Sequence, residues 1–189
     1  MTLKPAKSPS PESPHAMLYS LSTQVIADTV HALVALELLS ASADEKTSLS
    51  PLIDPARRGI LTLMIKNAFA ETVLGLLPYV DDAELDGERP ELSPAAHPAD
   101  DSADHLMQIT LKVPQAAGGG RQTGIHGLIR RHLEMAVVLR VIHTSLVAAG
   151  DSAGLVRAAP FAVKLQQQLA ALSALLRAPA APFVRPRFF

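Results

Sequence analysis

Residues 107–114, MQITLKVP, alternate without a break: Met107, Ile109, Leu111 and Val113 fall on one face of an extended chain, Gln108, Thr110 and Lys112 on the other. A period of two with one apolar side describes a half-buried β-strand, here 106–113. Such a strand cannot stand alone, because its backbone N–H and C=O groups need partners. Everything around it reads as helix, proline-rich arm or acidic loop, so the partner is the first thing the fold must supply. Within the chain, residues 79–80 or 182–184 offer a short edge. The alternative is a sheet completed across a subunit boundary, which would make Met107, Ile109, Leu111 and Val113 an interface strand.

Four helices are expected. The first covers residues 17–39, where Ser20, Gln24, Asp28 and His31 recur at steps of four, four and three and form one wet stripe. Leu18, Leu21, Val25, Ile26, Val30, Leu33 and Leu36 cover the rest of its circumference, so it packs on several sides. The second opens on Asp54 as N-cap and Pro55 at the first helical position, and stops at Pro78. Arg58, Thr62 and Lys66 mark its exposed stripe. On a helical wheel Asn67 and Glu71 fall among Ile60, Leu63, Met64 and Leu74, which reads as the apolar face.

The third helix, residues 125–149, carries Leu128, Met135, Leu139, Ile142 and Leu146 at steps of seven, four, three and four. The fourth carries Phe161, Leu165, Leu169, Leu172 and Leu176 at four, four, three and four, with Pro160 starting or kinking it. Two such stripes joined by Gly150-Asp151-Ser152 make an antiparallel helical hairpin. The fold class expected is mainly α: a helical bundle with a C-terminal hairpin and one short amphipathic strand, in a small sheet if a partner strand exists.

The 189 residues, 48% hydrophobic and 19% charged, suit one helical domain at 17–177 with an arm at each end. Residues 1–16 contain Pro5, Pro9, Pro11 and Pro14 and no apolar run, the composition of an extended arm rather than a signal peptide. Residues 178–189 form a second proline-broken arm whose Arg185, Arg187, Phe188 and Phe189 suit docking on another surface. No stretch reaches the ~18 apolar residues a membrane span needs, so the expected protein is soluble and cytoplasmic, with no membrane partner. Residues 81–104 hold nine acids against Arg89 alone, within a chain of net charge -1, and read as a solvated acidic loop.

The residues that carry chemistry elsewhere are poorly placed here. With no cysteine, disulfides, thiolate metal sites and cysteine nucleophiles are excluded. His126, His132 and His143 are separated by six and eleven positions, whereas one metal bound from a single helix needs three or four. Gly118-Gly119-Gly120-Arg121 lacks the lysine and hydroxyl of a phosphate-binding loop and reads as a connector. Glu134, His143 and Ser145 do not converge as a triad. No catalytic residue, cofactor or metal is therefore expected. Arg121, Arg130, Arg131, Arg140 and Arg157 make the hairpin basic, but it has no aromatic stacking partners, so nucleic acid is not the expected ligand. The use favoured for these charges is internal, with Arg130, Arg131 or Arg140 meeting Asn67 and Glu71 in a structural polar cluster.

The order helix, capped helix, acidic loop, strand and helical hairpin, with IRRHLEMAVVLRVIHTSL followed by FAVKLQQQLAALSALLR, resembles the small helical head-tail connector or neck proteins of tailed phages and phage-derived particles. The resemblance covers residues 17–177. It implies a structural, non-enzymatic role in a ring-forming particle whose partners are further copies and other assembly proteins, with arms that wrap neighbours. A regulatory or small-ligand-binding helical domain, its pocket lined by Asn67, Glu71 and the arginines, is the alternative.

Overall fold

In the computed structural model the described residues are 15–40, 52, 54, 57–81, 106–114, 122–148 and 152–177. Most of the N-terminal arm, nearly all of the acidic loop and the whole C-terminal arm with Arg185, Arg187, Phe188 and Phe189 lie outside them.

The first expected helix is corrected at its start. His15–Ser22 form a strand, β1, and the helix α1 covers Thr23–Ser40. Along β1, Tyr19 and Leu21 point inward and are buried, whereas Leu18, just before them, is exposed. Ser22 then sets the change of period, its Oγ accepting the Val25 N–H at 3.1 Å as an N-cap does. Leu18, Leu21 and Val25 fit a helical row, and over so short a run the helical and extended periods compete closely.

β1 is the partner the alternating segment requires. It pairs antiparallel with β2, Leu106–Val113, placing His15 opposite Val113 and Ser22 opposite Leu106. On the other side of β2, Val80 forms a single bridge to Leu111, and the Asp81 N–H donates to the Thr110 carbonyl at 3.1 Å. Of the two pairings left open, within the chain or across a subunit boundary, the structure shows the first: β2 finds its partners within the chain. Of the internal edges anticipated, residues 79–80 supply the bridge and 182–184 lie outside the described residues. Met107, Ile109, Leu111 and Val113 are core rather than interface, all of them buried beneath the sheet.

The second helix, α2, covers Arg58–Leu74, starting later than Asp54 and Pro55 suggest. Its N-cap residue is Arg57, without a side-chain cap. Asp54 instead closes the preceding turn, its carbonyl accepting the Arg57 N–H at 3.0 Å and its carboxylate 3.5 Å from Arg57 Nε. Gly75 ends the helix, and a 3-10 turn at Leu77–Tyr79, with Pro78 inside it, leads to Val80.

The hairpin has the expected form. α3, Gln122–Ala148, packs along α4, Ser152–Arg177, and Pro160 sits inside α4 at an exposed position. α3 also contacts α1, α2 and β1, so it is the central helix. Ile129, Leu133, Ala136, Val137, Val138, Leu139, Val141, Ile142 and Leu146 are all buried along it. At roughly 1.5–3 kcal/mol for each large aliphatic withdrawn from water, this helix anchors the fold. Leu128, expected in the stripe, is instead exposed near the N-terminal end of α3.

Candidate functional site

The polar cluster expected around Asn67 and Glu71 assembles only in part. Arg140 Nη1 lies 2.8 Å from Glu71 Oε2, joining the middle of α3 to the C-terminal half of α2. Arg140 is mostly buried while the Glu71 side chain is 54% exposed, so the pair sits at the edge of the α2–α3 contact. The Nε atom of Arg140 is buried and makes no hydrogen bond among the described residues. Arg130 turns to its own helix, with Nε 2.9 Å from Glu134 Oε1 at the i,i+4 spacing. It lies ten residues, about 15 Å of helical rise, from Arg140. Arg131 and Asn67 are exposed. The five residues form one ion pair and three separate surface positions, not one cluster.

The reason is that the apolar face assigned to α2 is its outer face. The side turned to the core presents Leu61, Ile65, Ala68, Phe69 and Thr72. Thr72 is buried without penalty because its hydroxyl donates to the Ala68 carbonyl at 2.7 Å. Ile60, Leu63 and Leu74 stand outward at 57%, 58% and 64% exposure. Leu77 continues the row into the 3-10 turn, and Asn67 and Glu71 interrupt it halfway. This is one continuous outward stripe, apolar at both ends and polar in the middle.

Large aliphatics also stand in solvent elsewhere. Leu36 and Leu39 end α1 in this way, and Leu155, Val156 and Val163 do so on α4. Single exposed leucines are ordinary on protein surfaces, but several outward on each of three helices are not. A helix with apolar residues on opposite sides is normally covered on both.

Two further contacts were not legible in the sequence. Tyr19 Oη hydrogen-bonds His126 Nδ1 at 2.8 Å, tying β1 to the start of α3 across 107 positions of sequence. Burial disfavours the phenolate and pushes the Tyr19 hydroxyl up to about 12. Beside the same sheet, Arg177 Nε donates to Tyr79 Oη, and its guanidinium lies 6.0 Å from the centre of the Tyr79 ring. This contact fixes the last residue of α4 beside the turn that follows α2.

Among the described residues no group of three or more histidine or carboxylate side chains stands close enough to hold a metal ion. None of the helices among them is long and apolar enough to cross a membrane. No family model matches the chain, and no curated protein or solved structure matches it.

Proposed function

We propose that this protein is a structural subunit of a multiprotein, phage-like particle, acting in the cytoplasm or within the particle through contacts with further copies and other assembly proteins. The observation that carries the reading is the set of large aliphatics left outward on α1 and α4: Leu36 and Leu39 of the first, and Leu155, Val156 and Val163 of the second. Removing such groups from water on association gives about 25 cal/mol per Å² of apolar surface, which favours protein contacts. The connector-like order of helix, strand and hairpin supports the particle assignment. The alternative of a ligand pocket loses its support, since Asn67 stands exposed on α2 and Arg130 and Arg131 lie on a distant part of α3.

Light scattering on the full chain tests the proposal. We expect a mass above that of one chain, rising with concentration and lowered by Val156→Glu together with Val163→Glu. A single-chain mass at the highest attainable concentration, in the presence of the co-encoded proteins as well as alone, would overturn it.

A further inference from the structure

The outward stripe of α2 has a matching sequence in the same chain. From Tyr79 backward it reads apolar at Leu77 and Leu74, polar and acidic at Glu71 and Asn67, and apolar again at Leu63 and Ile60. From Arg177 forward, residues 178–189, APAAPFVRPRFF, contain apolar Phe183 and Val184, then basic Arg185 and Arg187, then apolar Phe188 and Phe189. The two patterns are complementary when laid side by side. Their origins coincide, because the Arg177–Tyr79 contact sets the end of α4 beside the end of the stripe.

The lengths agree too. Leu74 and Leu63 are eleven helical residues apart, about 16 Å at 1.5 Å per residue. Phe183 and Phe188 are five residues apart, about 16 Å for a proline-rich segment rising ~3.1 Å per residue. The twelve residues after Arg177 can span roughly 37 Å, more than the ~26 Å between Leu77 and Ile60. Charge agrees as well: Glu71 keeps half of its side chain in solvent beside its pair with Arg140, which leaves carboxylate lone pairs for a second guanidinium.

We propose that residues 178–189 lie along the outward stripe of α2 in their own chain, Phe183 against Leu74, Arg185 or Arg187 at Glu71, and Phe188 against Leu63. Covering the stripe this way gives α2 the second apolar partner that its sequence asks for. The inference does not depend on the assembly reading, whose test surface is on α4.

The absence of cysteine from the chain makes the test clean, since any disulfide reports only on introduced pairs. Full-length variants carrying Leu74→Cys with Phe183→Cys, or Leu63→Cys with Phe188→Cys, are oxidised mildly at low concentration. Mass and non-reducing gel mobility then separate intrachain from interchain products. The mismatched pair Leu74→Cys with Phe188→Cys and the remote pair Val163→Cys with Phe188→Cys serve as references, and circular dichroism checks that each variant folds. The expected result is intrachain closure of both matched pairs at least tenfold faster than either reference. Equal rates for all four pairs, or no closure, would overturn the proposal. Disulfide-linked dimers from the matched pairs would overturn it too, by giving the stripe to the arm of a second copy.

Discussion

α2 and α3 are both apolar on opposite sides, but they occupy the fold differently. α3 is covered on one side by α4 and on the other by α1, α2 and β1, and its buried residues, from Ile129 to Leu146, fall around most of its circumference. α2 is covered on the side of Leu61, Ile65 and Phe69 and, among the described residues, stands open on the side of Ile60, Leu63 and Leu74. The difference teaches that an apolar pattern states how many partners a helix wants, not which of its faces meets the core of its own domain.

The largest expected effect tests this contrast directly. Leu133, on the central helix, is fully buried, and its truncation to alanine should cost about 2–5 kcal/mol in denaturant or thermal unfolding. Leu63→Ala on the outer side of α2, where the proposed arm adds only a surface contact rather than full burial, should cost no more than about 1 kcal/mol. A loss of 2 kcal/mol or more at Leu63 would show that this face is covered as fully as α3 and break the comparison.

A smaller effect sharpens it by testing how β1 holds the start of α3. Tyr19 is buried, and its hydroxyl is pushed up from 10.0 to about 12 by desolvation. The unfolded chain therefore ionises Tyr19 more readily than the folded one. The stability it contributes is present below pH 10 and is lost as pH rises through about 12. Two pK units at about 1.4 kcal/mol each set an upper bound of about 2.8 kcal/mol, and partial solvent screening lowers the expected loss to on the order of 2 kcal/mol. Tyr19→Phe should lower stability near neutral pH by about 1 kcal/mol through the lost bond to His126. Unfolding followed between pH 9 and 12 should then show a weaker alkaline decline in the variant. An identical decline in both proteins would mean that Tyr19 is not sealed between sheet and helix.

The hairpin was legible because Phe161, Leu165, Leu172 and Leu176 repeat over many turns, where a helical period outweighs any local ambiguity. β2 was legible because alternation over eight residues fits no helix. β1 was not, since LYSL is short enough for either period, although Ser22 before Thr23 was a readable capping signal. The face of α2 was misassigned for a different reason: with apolar residues on both sides, the wheel offers two solutions, and only packing chooses between them. Of the polar cluster, the Arg140–Glu71 pair emerged because two long charged side chains on neighbouring helices reach each other readily. Arg130 was lost to Glu134, a local i,i+4 partner that needs no tertiary contact at all.

That pair carries the smallest effect and the most asymmetric one. Arg140 is mostly buried and Glu71 is half in solvent, so the Coulomb gain is screened on one side while the desolvation cost falls on the other. Removing the carboxylate leaves the guanidinium in its poorly hydrated position with Nε already lacking a hydrogen bond. Glu71→Ala should therefore destabilise by about 1 kcal/mol. Arg140→Met removes the charge but keeps an apolar stem of similar reach between α2 and α3, and should be within about 0.5 kcal/mol of the parent. In the Arg140→Met background, Glu71→Ala should then cost almost nothing, since no buried cation remains to be stranded. Equal losses for the two single variants would instead make the pair an ordinary surface ion pair. The boundary between the covered and open sides of α2 would then run inside Glu71 rather than through it.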